Sequence, residues 1–271
     1  MSRPLAAVAL MIAVVWIAPP TAGHSGHDRD DDRATHADAP AQQPVDVPRA
    51  RRTSPGKGKP PHATAEAYRS DEVLGWSLKV HRDLVADEAL HEEVRGEIYH
   101  QLYRITKVLP ADKVELLKQV PIWVELRNPY SSACQYHPSR EWLEGNGYIP
   151  EKAKCVEISS ARGFLRASRG GQPYVMLHEL AHAYHDQHLG FDHAGIAEAY
   201  KAARDSGSYD EVLHVGGRSV RAYAMTDHKE YFAEATEAYF GTNDHYPFVR
   251  AELKQHDPVM FEVVKAAWGK R

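Results

Sequence analysis

Met176-Leu177-His178-Glu179-Leu180-Ala181-His182-Ala183-Tyr184 is the stretch on which the reading of this chain turns. It holds a His-Glu-x-x-His pattern inside a helical spacing of apolar residues. At 3.6 residues per turn, His178 and His182 stand one above the other on one helix face. Two imidazoles so placed can both point at one tetrahedral zinc ion. Glu179 is turned about 100° round the helix axis, where it reaches a water beside that ion rather than the ion itself. A metal that polarises a carbonyl and a carboxylate that takes a proton from water are the apparatus of hydrolysis. The chain has 17 His, so a chance match is the plain alternative. Against it, Leu177, Leu180, Ala181 and Tyr184 fall at i, i+3, i+4 and i+7, which gives the helix a separate apolar face for a core.

Two histidines leave a zinc site short, because a catalytic zinc takes three protein ligands plus water. His188 sits ten residues after His178, where the extended metzincin pattern has its last ligand. That pattern needs a Gly at its seventh position to turn the chain back, and here the position is His185. The first Gly is Gly190, so the helix is expected to run through His188 and carry it about 15 Å from His178. His185 stacks beside His182 on this reading, either behind the ligands or solvated.

The stronger candidate lies in Asp227-His228-Lys229-Glu230-Tyr231-Phe232-Ala233-Glu234-Ala235-Thr236-Glu237-Ala238-Tyr239-Phe240-Gly241, a helix that stops at Gly241. Glu230, Glu234 and Glu237 form an acidic stripe at i, i+4 and i+7, and three acids on one face favour a nearby cation. The competing readings are an ordinary solvated face, or a capping box in which Glu230 reaches back toward Asp227. We expect Glu230 as the third ligand and Glu234 as the carboxylate that orients a ligand histidine.

These residues carry a family resemblance. His178-Glu179-x-x-His182, then Tyr223, then Glu230-Tyr231-Phe232-Ala233-Glu234 resembles the catalytic domain of the anthrax toxin lethal factor family of zinc metallopeptidases. The resemblance implies Glu230 as third zinc ligand and Tyr223, seven residues before it, as a stabiliser of the transition state. A phenol can donate a hydrogen bond to the oxyanion formed when water attacks a carbonyl. The likeness covers about residues 170–245 and leaves out the toxin's large binding domains. The chain as a whole resembles small secreted bacterial metallopeptidases.

Elsewhere the chain divides by composition. With 271 residues, 43% of them apolar, there is room for one sizeable domain. The formal charge of −4 and the lack of a basic stripe give no sign of nucleic-acid binding. Residues 1–22 read as a signal peptide: Arg3, an apolar run from Leu5 to Ala18, then Pro19-Pro20 and Thr21-Ala22-Gly23, with cleavage near Ala22 or Gly23. The run is shorter than the roughly 20 residues that span a bilayer, so no stable membrane insertion is expected after processing. Residues 23–65 read as a polar, disordered arm. His24, His27 and His36 there are either a metal-gathering tail or part of a solvated linker.

The remaining span, 66–271, is expected to be one α+β, zincin-like domain. Val73 to His81 alternates Trp76, Leu78 and Val80 as a strand. Ala86 to Val108 reads as a long helix with Leu90, Val94, Ile98, Leu102 and Ile105 inward, and Pro110 opens a shorter helix to Gln119. Val120–Leu126 and Lys154–Ser159 read as strands, the latter as the sheet edge that would accept an extended peptide. Cys134 and Cys155, the only cysteines, are expected to form a disulfide after export, worth about 3 kcal/mol in the chain-entropy model. The rivals are a second metal site with His137, or a Cys–His nucleophile. Gly216-Gly217 marks a hairpin that delivers Tyr223. A helix from His193 to Ser206 and two terminal helices opened by Pro247 and Pro258, ending near Trp268, complete the chain.

The expected activity is hydrolysis of peptide bonds by zinc-activated water in a secreted or periplasmic monomer. One zinc ion per chain would be held by His178, His182 and Glu230, with Glu179 as base and Tyr223 on the oxyanion. The alternatives are a cell-wall or other amide hydrolase and a zinc-stabilised binding domain without turnover. A purely structural zinc site has no need of Glu179.

Overall fold

A computed structural model describes residues 64–128 and 134–269. The expected signal peptide and most of the polar arm lie outside the described residues. The elements in chain order are β1 (Tyr68–Val73), β2 (Trp76–His81), α1 (Arg82–Ala86), α2 (Glu88–Val108), α3 (Ala111–Leu117), β3 (Ile122–Val124), β4 (Cys134–Tyr136), α4 (Arg140–Gly145), β5 (Val156–Ile158), α5 (Ala161–Arg169), α6 (Val175–Tyr184), α7 (Ala194–Ser206), β6 (Val212–Leu213), β7 (Ser219–Val220), α8 (His228–Phe240), α9 (Arg250–His256) and α10 (Pro258–Trp268). This is a mixed α+β fold. No helix among the described residues is long and apolar enough to cross a membrane.

Five strands form one sheet in the order β1-β2-β3-β5-β4. The inner strands β2, β3 and β5 are parallel, and both outer pairs are antiparallel. Parallel strands are covered on both faces and carry continuous burial; Ile122-Trp123-Val124 and Val156-Glu157-Ile158 are buried at every position. The strand expected from Val73 is one arm of a hairpin. Leu74 and Gly75 both have positive φ, 52° and 90°, the geometry of a two-residue turn that matches strand twist. Leu90, Val94, Ile98, Leu102 and Ile105 on α2 are buried, as their spacing requires. The long helix expected from Ala86 starts two residues later, at Glu88, because Asp87 is its cap and accepts from the Leu90 N–H.

Two expectations fail at β4 and β5. Lys154–Ser159 is not a sheet edge: β5 pairs with β3 on one side and β4 on the other, so its backbone groups are already used. The edge on that side of the sheet belongs to β4, which holds only three residues, too few to announce a strand. The disulfide is also absent, and Cys134 and Cys155 are free thiols. Cys134 pairs with Ile158, three positions beyond Cys155. An odd step puts the two side chains on opposite sheet faces and about 10 Å apart along the strand, against the roughly 4.4–6.8 Å between Cα atoms that a bridge needs. Cys134 packs on the main core, whereas Cys155 packs with Tyr68 and Trp123.

Under this sheet face lies a buried charge network. Lys152, 0% exposed, donates to Glu125 at 2.6 Å and to Glu157. Tyr68 also donates to Glu125, and His137 Nε2 meets Glu157 Oε2 at 2.8 Å. Burial would raise the Glu157 carboxyl, but Lys152 and His137 together hold it well below the usual carboxylate range. The network ties β3, β5 and the residue after β4 into one unit.

Candidate metal centre

α6 is buried along its whole length, between the sheet and α8. His178 meets Glu237, and Tyr174 meets Gly241, so α6 and α8 run antiparallel. A Cβ on Gly241 would lie 2.3 Å from Tyr174 Cζ, so only glycine lets the helices approach this closely. The Arg104 guanidinium stacks 3.7 Å from the Tyr174 ring centroid and fixes the ring there.

At the start of α8, the Asp227 carboxylate accepts from Lys229 N at 2.8 Å and Glu230 N at 3.0 Å. Asp227 therefore supplies the cap, and the Glu230 carboxylate faces α6 instead. Glu230 Oε2 lies 3.0 Å from His178 Nε2 and 3.2 Å from His182 Nε2, and the two nitrogens are 3.1 Å apart. Zinc–ligand bonds of 2.0–2.1 Å in a tetrahedron set ligand atoms about 3.3 Å apart. The triangle of His178, His182 and Glu230 thus has the size and donor chemistry of one metal-binding face. Burial would raise the Glu230 carboxyl, yet the His182 and His178 imidazoles more than reverse this and keep it ionised.

Glu179 is 8% exposed and sits beside this triangle. His137 N donates to Cys155 O, so by alternation the Tyr136 N–H points off the free edge of β4. There it donates to Glu179 Oε2 at 2.8 Å. Burial pushes the Glu179 carboxyl above its ordinary value, partly opposed by His178, His182 and this N–H. A carboxylate shifted toward neutrality can both take and return a proton. Tyr223 opens a one-turn helix just after the β6–β7 hairpin, and its hydroxyl donates to Glu230 Oε1 at 3.3 Å. The five expected site residues are therefore brought together.

The orienting carboxylate differs from expectation. His178 Nδ1 lies 2.6 Å from Glu237 Oε1, but 4.0 Å from Glu234 Oε1. Glu237 is 0% exposed and does what was expected of Glu234. Its i+7 place in the acidic stripe was the available signal: seven residues return to within about 20° of the Glu230 direction, whereas four overshoot by about 40°. The Tyr136 N–H had no sequence signal, because it depends on which strand lies at the edge. His188 is outside the cluster; the helix continues past Tyr184 as a π-turn, His185–Leu189, and ends at Gly190. His185 is neither solvated nor a support to the ligands. It is 0% exposed among Phe191, Phe232 and His228, and neither ring nitrogen has a hydrogen-bond partner.

Comparison with models of known families finds no match. Curated proteins give none. Solved structures give none either, so the centre rests on its own geometry.

Proposed function

We propose that this chain is an exported zinc-dependent metallopeptidase with a zincin-like fold, hydrolysing peptide bonds with Glu179 as general base. The observation that carries the reading is the triangle of buried His178 and His182 with partly buried Glu230, its edges 3.0–3.2 Å and Glu179 beside it. Imidazole donors favour zinc over calcium or magnesium. Zinc held by these three side chains would polarise the scissile carbonyl and make water acidic at neutral pH.

The chain's own groups supply the rest. Glu179 takes the proton from water and returns it to the leaving nitrogen. The Tyr223 hydroxyl leaves Glu230 and donates to the oxyanion as the carbonyl becomes tetrahedral. Glu237 holds the His178 ring with Nε2 toward the metal. The free edge of β4 offers an extended peptide main-chain partners beside Glu179. All these groups come from one chain, so a monomer with one catalytic zinc is sufficient. The resemblance to the lethal factor family supports the roles of Glu230 and Tyr223.

The test compares purified wild type with Glu179→Gln for zinc content and for cleavage of a broad peptide library. Both should hold zinc through His182, and only the wild type should cut, with the variant slower by about 10²–10⁴. If both proteins hold that zinc and neither cuts any peptide, the peptidase reading is wrong, and the two alternatives left are a hydrolase of another amide and a zinc-stabilised binding domain.

A further inference from the structure

A second group of metal-ligand side chains lies beyond the catalytic triangle. His214, at the end of β6, and Asp244 and His245, just after α8, bring ligand atoms within 4.8 Å of one another. We infer that His214, Asp244 and His245 bind a second zinc ion, which clasps the β6–β7 hairpin to the segment that follows α8. This inference goes beyond the peptidase reading and does not depend on it.

The backbone already fixes the three residues. His214 and His245 face each other in an isolated antiparallel bridge, flanked by bonds from Val215 N to Asp244 O at 2.9 Å and Tyr246 N to Leu213 O at 2.8 Å. The two imidazole rings stand edge to face, 4.8 Å between centroids. His245 Nδ1 lies 3.0 Å from Asp244 Oδ1 and 3.6 Å from Glu234 Oε2. These separations bracket the about 3.3 Å expected between two ligands of a tetrahedral zinc. Glu234 thereby becomes a fourth candidate ligand on the buried side. Asn243 Oδ1, buried and without a hydrogen-bond partner, lines the same small cavity as Glu234 and His245.

Two imidazoles with one or two carboxylates suit zinc. His214 is the adjustable member. It is half-buried at the hairpin, and coordination through Nδ1 gives up the bond from Gly216 N at 3.0 Å. Metal uptake would fix the hairpin that leads directly into Tyr223.

The experiment is zinc titration of the metal-stripped full chain, read as equivalents bound per chain. Histidines in the N-terminal arm add the same background to every variant, so differences carry the result. His214→Ala and His245→Gln should each bind one equivalent fewer than wild type. His182→Ala should lose a different equivalent, and His182→Ala combined with His214→Ala should lose two. A variant that misfolds would lose both at once, so the retained His182 equivalent reports folding in the His214→Ala protein. If His214→Ala binds as many equivalents as wild type, at the same affinity, the second site is refuted. If His182→Ala keeps the wild-type count while His214→Ala does not, the catalytic assignment fails and this one stands.

Discussion

Replacing His185 by leucine should make the protein less sensitive to acid. Burial, reinforced by His228, His182, His193 and Lys229, pushes the folded-state pKa of His185 from 6.5 down to about 3. The folded protein therefore keeps this ring neutral while the unfolded chain protonates it. The stability linked to it is intact above pH 6.5 and is lost as the pH falls from there toward 3. Between pH 7.5 and pH 5.0 the unfolded state gains about 2 kcal/mol from this single proton, and the folded state gains almost nothing. Any folded-state pKa below about 4 gives the same figure. Leucine has similar bulk, no charge and apolar neighbours in Phe191 and Phe232. The assay is urea unfolding of chelator-treated wild type and His185→Leu at both pH values. Wild type should lose about 2 kcal/mol more than the variant over this interval. Packing differences present at both pH values cancel in that comparison. Equal losses would mean that His185 is protonated or hydrated in the folded protein, and the argument from its burial would fail.

The other expectations follow from the same centre and its supports. Glu237→Gln should weaken zinc binding by about 10–100-fold in competition with a chromophoric chelator, and an unchanged affinity would remove Glu237 from the site. Glu230→Ala should lose the same zinc far more severely than His188→Ala; the reverse order would reassign the third ligand. Gly241→Ala should destabilise by about 1–3 kcal/mol in thermal melts, because the new methyl meets the Tyr174 ring under Arg104. Added to Tyr174→Ala the same change should cost much less, and full additivity would clear the ring of blame. Thiol titration in denaturant without reductant should find two thiols per chain, whereas none would restore the disulfide. In the native protein Cys155 should react slowly, since burial pushes its pKa up to about 11.

Local signals were legible because they repeat along one helix. The His-Glu-x-x-His spacing, the Asp227 start and the acidic stripe each fix a direction round an axis, and two such directions suffice to propose Glu230. What could not be read depends on partners remote in sequence. The sheet order, with β5 inside and β4 outside, is decided by which strands pair, and three-residue strands carry too little alternation to announce it. The cysteine expectation failed for the same reason, since redox compartment and an even count say nothing about strand register. Glu237 over Glu234 required the antiparallel approach of α6 and α8, which Gly241 permits and no periodicity reveals.

The Lys152 network limits how this domain can be altered. Removing Lys152 alone would strip Glu125 of its counterion and leave Glu157 only His137, and breaking such a buried group costs about 3–5 kcal/mol. A coordinated exchange of all three for apolar residues is far cheaper. Grafts that replace the segment carrying His137 and Lys152 must therefore import matching partners just after β3 and on β5, or the chimera will not fold. The three positions should drift as a set, each one's tolerated alphabet dictated by the other two.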